Sequence, residues 1–161
     1  ADTLKWMKRH PNLVVTRTFS KVYGLAGLRV GYALAHPSVA DVMNRVRQPF
    51  NVNSVAQAAA VAALQDDDFV RRSNELNQRG MQQIIAGLGK LGLSYIPSYG
   101  NFISFRIGGA TAMYRRLLEL GVIVRPIANY DMADYLRVSI GLESENEKFL
   151  AALQQAIKEA K

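Results

Sequence analysis

Lys21 lies inside TRTFSKVYGLAGLRVGY, residues 16–32, with hydroxyls at Thr18 and Ser20, Arg29 eight positions on, and Gly24, Gly27 and Gly31 punctuating the loop. Three kinds of chemistry could use such a string. A solvated surface lysine needs none of these neighbours. A nucleotide phosphate loop needs G-x-x-x-x-G-K-[ST] or G-x-G-x-x-G, and neither spacing occurs here. A lysine that condenses with an aldehyde cofactor needs a neutral amine, which a nearby cation such as Arg29, plus partial burial, would favour. Such a cofactor also needs an anchor for its phosphate. Hydroxyls, a guanidinium and backbone N–H groups freed by glycines are suitable donors. On the residues alone, the surface lysine and the aldehyde-binding lysine both stand.

Two arginines late in the chain raise a related question. In YLRVSIG, residues 135–141, strand alternation puts Tyr135, Arg137 and Ser139 on one face and Leu136, Val138 and Ile140 on the other. Arg137 is then either a ligand-facing guanidinium or an exposed strand arginine. Arg125 closes GVIVRPI just before a loop and has the same two readings. Asn101 heads NFISFRI and reads as a turn initiator. Tyr23, Tyr99 and Tyr130 could stack or donate, with packing as the default reading. His10 and His36 flank prolines and form no metal pair, and without cysteine the chain holds neither disulfides nor thiolate metal sites.

The elements that must position these groups are partly legible. Asn12–Thr16 and Val30–His36 read as strands, the second apolar on both faces, as in a sheet covered on two sides. Pro37-Ser38 opens a helix with Val39, Val42, Met43 and Val46 on one stripe, broken near Pro49. Val55–Leu64 is apolar all round and reads as a buried helix. Asp66–Asp68 cap a long helix with its stripe at Phe69, Val70, Met81, Ile84, Ile85 and Leu88, and with Gly80 and Gly87 as weak points. Then come a short strand in LSYIP, an alternating strand over Asn101–Ile107, a turn at Gly108-Gly109, and a helix carrying Met113, Leu117 and Leu120, stopped at Gly121. VIVRP and YLRVSIG are further strands, and Ser144–Glu147 reads as a capping box for a final amphipathic helix.

The expected division is residues 1–50 as an incomplete sheet domain, 51–66 as a linking helix and 67–161 as a small α+β domain. Two strands are too few for a sheet buried on both faces, so most of a larger domain is expected to lie outside this chain. The opening on Ala1 without methionine fits an excised piece. Charge is uneven: residues 1–50 carry eight Lys and Arg against Asp2 and Asp41, most of the +7 total. Such a surplus suits an anionic ligand or an acidic partner. No basic stripe with interleaved aromatics is present, so no nucleic-acid partner is expected. The longest apolar run, Val55–Leu64, is too short for a bilayer and no secretory leader is legible, so no membrane partner is expected. A cytoplasmic location is compatible with the lack of cysteine.

The string around Lys21 resembles the cofactor-lysine motif of fold-type I pyridoxal-phosphate aminotransferases. It is especially similar to that of the histidinol-phosphate aminotransferase family, S-K-x-Y/F-x-L-A-G-L-R-x-G-Y/F. The resemblance implies an α/β fold: a fragment of the large-domain sheet followed by the small C-terminal α+β domain of such an enzyme. It implies pyridoxal 5'-phosphate as cofactor, bound covalently by Lys21, with Thr18, Ser20 and Arg29 on its phosphate. Lys21 would also move the proton from the substrate Cα. Arg137 would grip the substrate α-carboxylate and Arg125 the phosphate of histidinol phosphate, with glutamate and 2-oxoglutarate as the second pair. The implied assembly is a homodimer. The resemblance places an aspartate, a tyrosine and an asparagine around the cofactor ring from the part of the enzyme before this stretch, and the aspartate has no stand-in here, so this stretch alone is expected to be inactive. Rival expectations are an aromatic amino-acid aminotransferase, a phosphate-recognising decarboxylase using the same cofactor, and a non-catalytic structural fragment.

Overall fold

The computed structural model describes residues 3–160. The chain divides into two compact units, Ala1–Arg72 and Ser73–Lys161.

The first unit begins with α1 (Thr3–Arg9), whose last turn carries Lys8 and Arg9, cations well placed at a helix C-terminus. Strand β1 (Val15–Thr18) pairs antiparallel with β2 (Gly31–Leu34), in the register Val15↔Leu34 to Thr18↔Gly31. The first strand thus starts later than Asn12, because a turn in which Leu13 N–H donates to His10 C=O removes that segment from the ladder. The two strands form a ribbon in which all of β2 is exposed and only Val15 of β1 is buried. Helix α2 (Pro37–Val46) starts where the proline predicts, capped by His36. Helix α3 (Ser54–Leu64) is capped by Asn53, whose side chain accepts from Ala56 N–H at 2.8 Å. It buries only Ala56 and Ala60, while Val55, Val61 and Leu64 are exposed, so the expected all-round burial is not met.

Helix α4 (Asp67–Lys90) crosses the division. Asp66 caps it, accepting from Phe69 N–H at 2.9 Å. In the second unit β3 (Tyr95–Ile96), β4 (Phe102–Arg106), β5 (Arg125–Pro126) and β6 (Tyr135–Ser139) form an antiparallel sheet in the order β3-β4-β6-β5. Helix α5 (Ala110–Glu119) and helix α6 (Glu143–Glu159) complete it. The core joins Met81, Ile84 and Leu88 of α4, Met113 and Leu117 of α5 and Phe149 and Leu153 of α6 to Ile103, Phe105, Leu136 and Val138 of the sheet. All three helices therefore cover one sheet face, a two-layer α+β arrangement. Each fully buried Leu, Ile or Phe there contributes about 1.5–3 kcal/mol.

Three expectations need correction in this unit. Gly80 and Gly87 are close-approach points: a Cβ on Gly80 would lie 2.5 Å from Ile140 Cγ2, and one on Gly87 would overlap the Leu150 side chain. The cap of α6 falls two residues before Ser144, where Glu145 accepts from Leu142 N–H at 2.7 Å. The VIVRP strand pairs only over Arg125 and Pro126, although Val122 and Val124 are buried and Ile123 exposed in strand-like alternation. A buried polar hub was not foreseen. Asn146 donates to Gln83 Oε1 at 2.9 Å and accepts from Gly141 N–H at 3.0 Å, tying α4 and α6 to the end of β6. Among the described residues no helix is long and apolar enough to cross a membrane, and no cluster of metal-ligating side chains is present.

Candidate functional site

The β1–β2 ladder ends at Thr18↔Gly31, and Phe19 N–H donates to Val30 C=O at 3.2 Å, so the segment from Ser20 to Arg29 is a loop closed at its neck. Gly31 makes that neck possible: a Cβ there would lie 2.7 Å from the backbone oxygen of Arg17. Phe19 anchors the loop. It is buried with Val30 against Ala56 and Ala60 of α3, and its ring centroid lies 4.9 Å from that of Tyr23 and 5.9 Å from that of Tyr32. Burial of Phe19 turns its neighbours Thr18 and Ser20 outward by strand alternation. The alternation Thr-Phe-Ser is the one sequence signal of that anchor.

Inside the loop, Ser20 N–H donates to Thr18 Oγ1 at 3.1 Å, Gly24 N–H to Lys21 C=O at 2.9 Å and Leu25 N–H to Phe19 C=O at 3.0 Å. These bonds leave the Thr18 and Ser20 hydroxyls free to donate elsewhere. Arg29 stands in left-handed backbone, φ +52°, uncommon for a side-chain-bearing residue, and its Nη1 donates to Ala26 C=O at 2.9 Å. Lys21 is exposed in this chain, so the partial burial expected for it is not met here. Two hydroxyls, an ammonium and a guanidinium thus share one constrained loop, and no Asp or Glu occurs anywhere in residues 3–40. Such a donor set suits a phosphate, and an amine within it can react with an aldehyde.

The second cluster lies on the helix-free face of the four-stranded sheet. Phe102, Ser104, Arg137 and Ser139 share that face, opposite the buried Ile103, Phe105, Leu136 and Val138. Arg125 on β5 is the direct cross-strand partner of Arg137 on β6, and Ser104 is its partner on β4. Like charges directly opposite one another destabilise a sheet. Among the described residues neither guanidinium has a carboxylate within ion-pair distance, although Arg106 pairs with Asp134 and Arg116 with Glu119 and Glu159. The arrangement has the electrostatic form of an anion site. The structure therefore brings Thr18, Ser20, Lys21 and Arg29 together in one unit, and Arg125 and Arg137 together in the other. Asn101 extends the ladder, its C=O accepting from Ile140 N–H at 2.9 Å. Tyr23 packs as expected, whereas Tyr99 and Tyr130 are exposed, correcting the packing reading for both.

Residues 1–153 match the model of the family described as aminotransferase class I and II. The chain belongs to that family. As a class I and II aminotransferase sequence it is 64% identical over 158 residues to the histidinol-phosphate aminotransferase of Methylobacillus flagellatus, covering 98% of this chain and 43% of that protein. The chain thus spans less than half the length of that relative. Among solved structures, the histidinol-phosphate aminotransferase of Sinorhizobium meliloti, in complex with pyridoxal-5'-phosphate, is 32% identical with a TM-score of 0.86, over 94% of this chain and 42% of that one. A histidinol-phosphate aminotransferase of Erwinia carotovora atroseptica, so described provisionally, is 27% identical with a TM-score of 0.92, over 99% of this chain and 46% of that one. The α/β architecture is that of the fold-type I aminotransferases.

Proposed function

We propose that the chain is the C-terminal portion of a pyridoxal-phosphate-dependent histidinol-phosphate aminotransferase of histidine biosynthesis. The reaction interconverts histidinol phosphate and 2-oxoglutarate with imidazole-acetol phosphate and glutamate. The observation that carries this reading is the closed loop holding Lys21, Thr18, Ser20 and Arg29, in a chain so similar to named histidinol-phosphate aminotransferases. Residues 1–50 would belong to the large cofactor-binding domain, 51–66 to a linking helix and 67–161 to the small domain. The active form would be a cytoplasmic homodimer, an assignment that rests on family resemblance.

The residues present fit the cofactor. The acid-free loop offers donors for a phosphate and an amine for an aldehyde. When bound, pyridoxal phosphate supplies a ring that stabilises the negative charge developing at the substrate Cα. Thr18, Ser20 and Arg29 would bind its phosphate by charge-assisted hydrogen bonds. Lys21 would hold the cofactor and then take the proton from the substrate Cα as general base. Arg137 would grip the α-carboxylate of glutamate through two parallel N–H donors, and Arg125 would meet the phosphate of histidinol phosphate.

The substrate assignment is tested in the full-length enzyme with Arg125→Ala, comparing histidinol phosphate with an unphosphorylated aromatic amino acid. The expected result is a loss of kcat/KM of about 10²-fold for the phosphorylated donor, as for loss of a charged hydrogen bond, and a much smaller loss for the other. Equal losses on both donors would contradict phosphate recognition.

A further inference from the structure

The Arg137 guanidinium carbon lies 4.5 Å from the centroid of the Phe102 ring. Phe102 faces Ser139 across the β4–β6 ladder, and Arg137 is two residues back on β6, so the pair is a same-face diagonal contact. Arg137 is half-buried, with a like charge directly opposite at Arg125 and a neutral hydroxyl residue opposite at Ser104. Phe102 keeps 36% of its surface exposed, although it sits in a strand whose neighbours Ile103 and Phe105 are fully buried. The core of this unit therefore does not explain a phenyl ring at this position.

An aromatic face attracts a cation through its quadrupole and leaves the in-plane N–H donors unoccupied. A carboxylate in the same place would attract it more strongly but would take up those donors and compete with any anionic ligand. A flexible aliphatic side chain would give no electrostatic hold, and Arg125 would push the guanidinium aside. We propose that Phe102 is a positioning residue for carboxylate recognition: its ring holds the Arg137 guanidinium in place with its donor fork free. This rests on the reading of Arg137 as the carboxylate grip.

The test uses the full-length holoenzyme with L-glutamate as amino donor. Phe102→Leu is expected to raise KM for glutamate roughly two- to fivefold, the worth of one cation–π contact, with kcat held within about twofold. Phe102→Tyr keeps the ring face and is expected to restore KM. Trifluorophenylalanine incorporated at position 102 keeps the ring while weakening its quadrupole, and is expected to raise KM as leucine does. A purely structural ring would tolerate that replacement. In the same samples the Arg137 Cδ protons should lose their ring-current shift in Phe102→Leu. Unchanged KM in both the leucine and the fluorinated proteins, or a fall in kcat at constant KM, would overturn the role of Phe102. Arg137→Gln separates the two ideas. A large rise in KM for glutamate there, beside a silent Phe102→Leu, refutes only the positioning role. An unchanged KM in Arg137→Gln refutes the carboxylate grip itself and the proposal with it.

Discussion

Arg29 combines two properties that are usually kept apart, a left-handed backbone and a long cationic side chain. Glycine would occupy that conformation without steric penalty. Arg29→Gly therefore separates folding from binding. Thermal unfolding of the variant should stay within about 1 kcal/mol of the parent, since relaxed backbone offsets lost contacts. Affinity of the full-length enzyme for pyridoxal phosphate, measured by titration of the cofactor absorbance, should fall at least about tenfold, as expected for loss of a charge-assisted partner. A destabilised variant with unchanged cofactor affinity would make Arg29 a structural residue. The motif spelled out Lys21, Thr18, Ser20 and Arg29 because each carries distinctive chemistry. Phe19 is far less legible although it fixes the loop, because one phenylalanine between hydroxyl residues announces burial only through alternation.

At the scale of elements, α4 and α6 meet where glycine removes a side chain. Gly87→Ala should destabilise the second unit by about 1–3 kcal/mol, the usual range for overpacking, and a denaturant midpoint at or above the parent's would contradict the close approach. Asn146 joins α4, α6 and the end of β6, and its replacement by Ala leaves Gly141 N–H and Gln83 without their partner. The expected loss is about 1–3 kcal/mol in equilibrium unfolding. At the other end of α6, Arg116 donates to Glu159 at 2.7 Å, and this hydrogen bond, with a lesser one from Gln155, holds the Glu159 carboxyl below its ordinary 4.5. A carboxylate whose pKa is lowered on folding adds stability above its unfolded value and loses it as pH falls through the lowered one. The stability gap between the parent and Glu159→Gln should thus be present at neutral pH and shrink as pH falls below the ordinary 4.5, and it should be small because the pair is exposed. A gap that widens in acid would refute the pairing. Periodicity revealed these helices well. It misjudged Gly80 and Gly87, because propensity reports the cost of glycine in an isolated helix while tertiary approach decides it here.

On the scale of the whole molecule, the second unit owns a continuous core and was legible in outline from strand alternation and helical stripes. The first unit was legible as chemistry more than as fold. Its apolar runs predicted burial, but Val46, Val55 and Val61 are largely exposed within this chain, as are Trp6 and Phe50 outside those runs. Hydropathy reports that a surface wants covering, not which residues cover it. The chain of 161 residues should therefore self-associate with concentration in sedimentation, and should bind pyridoxal phosphate weakly in equilibrium dialysis. A strictly monomeric profile would contradict the first expectation. Tight stoichiometric binding would show that the loop needs nothing beyond this chain. Whether Lys21 carries the cofactor is decided by treating the full-length holoenzyme with borohydride, digesting it and locating the cofactor adduct by mass spectrometry. The adduct is expected on the peptide containing Lys21, and none there in Lys21→Ala. An adduct on another lysine in the parent enzyme would contradict it.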